Sequence, residues 1–257
     1  MDDSFARRTG TPAGAEPPLA GRITVVTGAS SGIGRAVALA LAAQRATVCL
    51  VGRDRDRLAD VARSAGPTSP RVLIQQADLS REDEVQQLAG RLQAELTGID
   101  ILVHSAGVFR PGAFTSAATE DFDFLYHVNA RAPYRLTQAL LPLLRASRGQ
   151  VVFINSTAAL GSAMGHGLYA ASKHALRALA DGLRQEVNAD GIRVLSVYPG
   201  RVATPLQREV FAKEGRSYDP AALLQAEDIA AMVIAAASLP HGAEVTDISL
   251  RPTRKSY

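Results

Sequence analysis

Apolar and polar residues follow two alternating patterns from residue 22 onward. Short runs rich in β-branched residues predict strands, and several are apolar nearly throughout, as expected when helices cover both faces of a sheet. Between them, apolar residues recur every three or four positions, which places one apolar stripe on a helix. Two such stripes are Val85, Leu88, Leu92 and Leu96, and Leu176, Leu179, Leu183 and Val187. The predicted strands cover residues 23–27, 47–52, 71–76, 99–104, 150–155, 192–197 and 246–250.

This alternation predicts repeated βαβ units and therefore an α/β fold. We expect a doubly wound, Rossmann-like domain with a parallel seven-stranded sheet in the order 3-2-1-4-5-6-7 and helices on both faces. The domain is predicted to span residues 21–257, after a flexible tail at 1–20 that is rich in Ala, Pro and Gly. Residues 204–221 lack a clean period and end in turn formers, so they are predicted to form a substrate loop.

Composition and charge narrow the class of protein. The 257 residues carry a formal net charge of +3 with basic residues scattered among acids, which does not favour nucleic acid as a partner. The single cysteine, Cys49, excludes an intrachain disulfide and a cysteine metal cluster, and we predict no metal site. No apolar stretch is long enough for a membrane span, and none follows Arg7-Arg8 as an export signal would require. We expect a cytoplasmic protein.

A glycine-rich turn follows the first predicted strand and leads into a helix. It reads Thr27-Gly28-Ala29-Ser30-Ser31-Gly32-Ile33-Gly34. Its three glycines permit a tight turn and a close approach of the backbone to a pyrophosphate, and free amides at the helix start favour an anion. A purely structural strand-to-helix turn would use the same glycines, so the motif alone leaves both interpretations open.

Three residues that suit proton transfer lie farther along the chain. Ser156 follows the fifth predicted strand, and Tyr169 and Lys173 lie at the start of a long helix. Tyr and Lys four positions apart share one helix face and can reach one pocket, although such a pair is also common on helix surfaces.

The order and spacing of these motifs, over about residues 22–205, resemble the short-chain dehydrogenase/reductase family. The resemblance implies an NADP(H)-dependent oxidoreductase that interconverts a small-molecule carbonyl and an alcohol. Tyr169 would act as general acid and base, Ser156 would bind the substrate oxygen, and Lys173 would lower the Tyr169 pKa and hold the nicotinamide ribose. The resemblance also implies a fourth catalytic residue, Asn129, whose helix kink holds a water against Lys173. The alternative is that Asn129 is a simple helix cap.

The residue after the second strand selects the cofactor. A carboxylate there would bind the ribose of NAD, whereas this strand ends in Gly52-Arg53, and a guanidinium can pair with the 2′-phosphate of NADP. Alternatively, Arg53 is a surface charge that pairs with Asp54 or Asp56.

The resemblance implies further cofactor contacts. His104-Ser105-Ala106-Gly107 occupies the place of the family's Asn-Asn-Ala-Gly, and we interpret the His104 side chain as structural while its backbone lies along the cofactor. Asp78 meets the adenine, unless it only forms a turn. The predicted cofactor-binding residues are Gly28, Ser30, Ser31, Gly32, Ile33, Gly34, Arg53, Asp78, Leu79, His104, Ala106, Gly107, Asn129, Tyr169, Lys173, Pro199, Gly200, Val202 and Thr204.

Other functions remain open from the sequence alone. A noncatalytic NADP-binding redox sensor would not need the Ser, Tyr and Lys set, and a sugar-nucleotide epimerase would need a longer C-terminal region. Residues 244–253 are similar to the branch that oxidises 3-hydroxy acids and serine, and Arg110, Arg201 and Arg208 could meet an acidic substrate. The resemblance also implies a homodimer or homotetramer. Substrate and direction depend on pocket shape, which the motifs do not encode.

Overall fold

The computed structural model describes residues 16–253, so residues 1–15 of the predicted tail lie outside it. Seven parallel strands form one sheet in the order β3-β2-β1-β4-β5-β6-β7, which confirms the predicted topology. The strands are β1 (Ile23–Thr27), β2 (Thr47–Gly52), β3 (Val72–Gln76), β4 (Ile101–His104), β5 (Gln150–Ile154), β6 (Arg193–Pro199) and β7 (Asp247–Leu250).

Helices cover both faces of this sheet. They are α1 (Gly32–Ala43), α2 (Arg55–Ala65), α3 (Glu82–Glu95), α4 (Thr119–Tyr126), α5 (Ala132–Ser147), α6 (Gly167–Val187), α7 (Pro205–Lys213) and α8 (Ala226–Ala237). One apolar layer joins the sheet to α1, α2 and α8, and the other joins it to α3, α5 and α6. Within residues 16–253, no helix is both long and apolar enough to cross a membrane.

The predicted helical stripes are buried to different degrees. Val85, Leu88 and Leu92 are buried against the sheet, as their spacing predicts. In α6, Leu176 and Val187 are buried, whereas Leu179 and Leu183 are only half-buried. The reason is that Ala180 and the polar residues Ser172 and Lys173 occupy part of the buried face.

Two segments differ in detail from a simple strand-and-helix alternation. Residues 204–221, predicted as a loop, contain helix α7, which Thr204 caps by accepting a hydrogen bond from the Gln207 amide at 3.2 Å. Between α4 and α5 the chain passes through a π-helical turn, His127–Arg131, without leaving the helix. Both features lie at the carboxyl ends of the strands and shape the site there.

Candidate active site

A cleft runs along the carboxyl ends of the central strands, beside the point where the strand order reverses between β1 and β4. This is the usual ligand position in open α/β sheets. One part is a cavity of about 500 Å³ that holds Ser156, Tyr169 and Lys173, and the other, of about 230 Å³, follows the glycine turn. We call these the catalytic end and the cofactor end. They share Ile33, Gly107 and Thr204 among their lining residues, so the two cavities adjoin.

The glycine turn brings backbone into contact with backbone. Gly28 has a φ of +67°, and a Cβ there would lie 2.8 Å from the Ala106 Cα. A Cβ on Gly34 would lie well inside contact distance of the Gly28 carbonyl oxygen. Ser31, at the N-cap of α1, makes no side-chain capping hydrogen bond, so the first amides of this helix are open to an anionic group. The geometry therefore meets the needs of a tight turn and of phosphate binding together.

Arg53 lines the cofactor end and is exposed. Asp54, one alternative partner, instead caps α2 by accepting from the Arg57 amide at 3.0 Å and pairs with the Arg57 guanidinium at 3.2 Å. Among residues 16–253, no carboxylate lies within ion-pair distance of the Arg53 side chain. The Arg53 guanidinium is thus available to a phosphate.

Asp78 also lines the cofactor end, and its side chain forms a turn. Its Oδ1 accepts from the Ser80 amide at 2.9 Å and from the Ser80 hydroxyl at 2.8 Å. Both interpretations of this residue are therefore compatible with its position.

His104 and Asn129 are the two predicted site residues that line neither cavity. The His104 side chain is 2% exposed, stacks on Phe153 with ring centroids 5.1 Å apart, and its Nε2 lies 2.7 Å from the Thr137 hydroxyl. Burial lowers the pKa of His104 to about 3, so the ring is neutral. The side chain connects β4 to α5, as a structural role requires.

The predicted catalytic side chains meet at the other end of the cleft. Ser156 follows β5, its Oγ accepts from the Ala158 amide at 3.1 Å, and it lines the same cavity as Tyr169. Lys173, one helical turn after Tyr169, is 4% exposed and donates from Nζ to the Ile154 carbonyl oxygen at 3.2 Å. Its Nζ lies 6.0 Å from the centre of the Tyr169 ring.

Burial shifts the pKa values of two groups in opposite directions. It raises the pKa of Tyr169, and the neighbouring Ser156 side chain acts against this rise. It lowers the pKa of Lys173 to about 8. Both shifts favour the neutral form, because a charge in a poorly solvated site is unfavourable. The lowering of the Tyr169 pKa by Lys173 stays a prediction.

Asn129 lies in the π-helical turn and holds two other segments of the site. Its Oδ1 accepts from the Val108 amide at 2.9 Å, and its Nδ2 donates to the Val108 carbonyl and to the Ser172 hydroxyl, each at 3.0 Å. Ser172 in turn donates to the Tyr169 carbonyl at 2.7 Å. A helix-capping role does not fit, since helical structure continues on both sides of Asn129.

Several residues of the site carry no sequence motif of their own. Asn155 donates to the Lys173 carbonyl oxygen at 3.3 Å, and its position directly before Ser156 is the one available signal. Ser172 is buried between Tyr169 and Lys173. Leu206 and Gln207 line the catalytic end from α7, the helix that the sequence did not predict.

Comparison with known proteins identifies close likenesses over nearly the whole chain. The family model for the short chain dehydrogenase matches residues 22–215. An uncharacterized oxidoreductase of Staphylococcus saprophyticus is 34% identical over 236 residues, which cover 91% of this chain and 98% of that protein. A metagenomic short-chain oxidoreductase solved in complex with NADP is 30% identical with a TM-score of 0.79, covering 93% of this chain and 100% of that one. L-sorbose reductase from Gluconobacter frateurii, complexed with NADPH and L-sorbose, is 27% identical with a TM-score of 0.83, covering 92% and 97%.

Proposed function

The chain belongs to the short chain dehydrogenase family, and we propose that it is an NADP(H)-dependent oxidoreductase that interconverts a carbonyl and an alcohol, with Tyr169 as general acid and base. The observation that carries this proposal is that Ser156, Tyr169 and Lys173 line one cavity, which adjoins the glycine turn, with Lys173 one helical turn after Tyr169. NADP-bound relatives support the choice of cofactor. Homo-oligomeric assembly, the cytoplasmic location and the domain boundaries stay predictions.

The cofactor end has the features that a dinucleotide phosphate requires. The open amides at the start of α1 would hold the pyrophosphate, and Arg53 would hold a 2′-phosphate through its planar guanidinium. Ala106, Gly107, Val202 and Thr204 would contact the remainder. A nicotinamide nucleotide bound in this way supplies or accepts the hydride.

The side chains of the catalytic end then transfer the proton. The raised pKa of Tyr169 keeps its hydroxyl protonated at neutral pH, so in reduction it donates that proton to the carbonyl oxygen. Ser156 donates a hydrogen bond to the same oxygen as negative charge develops there. The ammonium of Lys173 stabilises the tyrosinate that remains. In oxidation the same groups act in reverse, and Tyr169 accepts the proton from the alcohol.

The test combines binding and turnover. Purified protein is titrated with NADPH and NADH by fluorescence, and the loss of NADPH absorbance is followed with ketones, aldehydes and 3-oxo acids. Tyr169→Phe is expected to lower turnover by about 10³-fold with NADPH affinity retained. The control is Tyr134→Phe, which changes an exposed tyrosine of α5 and should leave turnover unchanged.

Each outcome separates the candidate functions. Preferential NADPH binding, with turnover lost only in Tyr169→Phe, supports the reductase. NADPH binding without turnover on any carbonyl favours the noncatalytic sensor. Failure to bind either nucleotide contradicts the proposal as a whole.

A further inference from the structure

Glu214, just after α7, forms an ion pair with Arg201, which lines the catalytic end. Its two oxygens accept from both terminal nitrogens of Arg201, at 2.9 and 3.0 Å. The side chains of this pair are only 17% and 25% exposed, respectively. Such a bidentate pair has the geometry in which a guanidinium binds a carboxylate most strongly. Arg201 thus has an anionic partner inside the protein.

Glu214 is ionised at neutral pH. Burial raises its pKa, but Arg201, with His166 and Arg216 adding to its effect, holds the pKa below the ordinary value. His166 Nε2 lies 3.3 Å from the carboxylate, and Arg216 lies 3.5 Å from it. The carboxylate therefore stays charged beside any substrate group that reaches Arg201.

Arg201 is the arginine that an acidic substrate would meet. Among the described residues that line the catalytic end, the lysine and arginine residues are Lys173, which belongs to the proton-transfer set, and Arg201. The two other arginines that the sequence suggested lie outside this lining. Arg110 pairs with Asp121, and the guanidinium of Arg208 lies 5.3 Å from the centre of the Tyr218 ring.

The pairing changes which substrates this cavity can hold. A substrate carboxylate next to Arg201 would also lie near Glu214, whose repulsion offsets the attraction of the guanidinium. The lining also contains uncharged donors and acceptors, such as Ser162 and Gln207. Uncharged polar substrates can use these groups without meeting the repulsion.

We propose that Glu214 is a specificity-determining residue that neutralises Arg201 and thereby selects uncharged polar carbonyl substrates against carboxylates. The proposal rests on the oxidoreductase function given above and names the substrate class of the same site. It predicts that removing the negative charge of Glu214 converts Arg201 into a receptor for an acidic group.

The test compares acetoacetamide with acetoacetate, two ketones of nearly equal shape that differ in charge. The ratio of their kcat/KM values with NADPH is expected to favour the amide in the unchanged protein. Glu214→Gln should shift this ratio toward the acid at least tenfold, and Arg201→Gln combined with Glu214→Gln should cancel the shift. The control Asp121→Asn unpairs Arg110, which does not line the cavity, and should leave the ratio within twofold.

A binding measurement makes the outcome independent of turnover. Calorimetric titration of the NADPH-saturated protein with 3-hydroxybutyramide and 3-hydroxybutyrate gives the ratio of dissociation constants without reaction, because cofactor and ligand are both in the reduced form. This ratio should shift in the same direction. If no carbonyl of the panel given above is reduced, the reductase proposal fails while this ratio still tests the role of Glu214. Should Glu214→Gln not fold, Arg201→Gln alone must widen the preference for the amide.

Two results would overturn the proposal. The first is a preference of the unchanged protein for the acid over the amide. The second is a folded Glu214→Gln protein in which neither the kcat/KM ratio nor the ratio of dissociation constants shifts. Failure of both hydroxy compounds to bind to it counts as the same result.

Discussion

The cofactor end and the catalytic end of the cleft are built from different kinds of groups. The cofactor end consists mainly of backbone and small residues, with one exposed cation, Arg53. The catalytic end relies on titratable side chains whose charged forms burial disfavours, Tyr169 and Lys173. The first selects its ligand by shape and an accessible charge, whereas the second keeps reactive groups in a poorly solvated site at the expense of stability.

This difference predicts opposite responses to substitution. Changes at the cofactor end should lower stability or affinity, because its geometry is already favourable. Removing a buried charge at the catalytic end should stop the chemistry and yet stabilise the fold. Four experiments test this contrast, and the change expected becomes smaller from the first to the last.

Lys173→Met should produce the largest change. We expect turnover to fall about 10³-fold because the tyrosinate loses its ammonium. Burial lowers the pKa of Lys173 from 10.5 to about 8, so at pH 7 the folded protein carries an unfavourable charge. Removing this charge stabilises the folded protein, whereas losing the hydrogen bond to Ile154 destabilises it. The net result should be a free energy of unfolding that is higher by about 2 kcal/mol in urea titrations.

The size of this gain in stability depends on pH in a defined way. The unfolded chain binds the lysine proton more tightly than the folded one, so the unfavourable term is complete below pH 8. It disappears as the pH rises from about 8 to 10.5, and the advantage of Lys173→Met should shrink over that range. Lys213→Met, which changes an exposed lysine, is the control and should show neither effect. A destabilised Lys173→Met protein at pH 7 would contradict the contrast.

Gly34→Ala tests the backbone contacts of the cofactor end. A Cβ there meets the Gly28 carbonyl oxygen, so the start of α1 must move away from the turn. We expect the free energy of unfolding to fall by about 3 kcal/mol and NADPH binding to weaken, measured by urea titration and fluorescence.

A second glycine gives the matched control. Gly90 lies in α3, and a Cβ there would have no neighbour within 4 Å. Gly90→Ala should therefore raise stability by about 0.5 to 1 kcal/mol through helix propensity. Equal effects of the two substitutions would show that the glycine turn carries no special packing.

Arg53→Ala tests the accessible charge of the cofactor end. Loss of a charge-assisted contact to the 2′-phosphate should weaken NADPH binding by about 2 kcal/mol, a factor of roughly 30, and leave NADH binding unchanged. Arg57→Ala, whose side chain pairs with Asp54 instead, should alter neither constant. An equal loss for both nucleotides would exclude phosphate selection by Arg53.

Local patterns were sufficient to predict most of the architecture. All seven strands followed from apolar runs and turn residues, since each strand depends mainly on its own sequence and on burial between helices. Their order followed from right-handed crossovers in a doubly wound sheet. The positions of Ser156, Tyr169 and Lys173 in one cavity agree with the helix spacing. Around these three residues, the sequence that determines the local strand or helix also contains the motif.

The parts that could not be predicted depend on contacts between distant segments. Helix α7 is capped by Thr204 but is positioned by partners such as Arg201, which binds Glu214. The π-helical turn is held through Asn129 and Val108. No periodicity within either segment reports these contacts, because the partner groups come from other parts of the chain.

His104→Asn is expected to have the smallest effect, and it tests whether a buried titratable group outside the catalytic end behaves as Lys173 does. Burial lowers the pKa of His104 from 6.5 to about 3, so the folded protein keeps the ring neutral while the unfolded chain takes up a proton below pH 6.5. Stability is therefore lost as the pH falls from 6.5 toward 3, and between pH 7 and 5.5 the histidine should account for about 1 kcal/mol. Asparagine does not titrate and can still hydrogen-bond to Thr137, so the variant should lose less stability over this interval. Urea titrations at both pH values, with the partly exposed His174→Asn as control, measure the difference. Equal losses in His104→Asn and the unchanged protein would mean that the ring takes up a proton without unfolding, and burial would then disfavour charge only at the catalytic end.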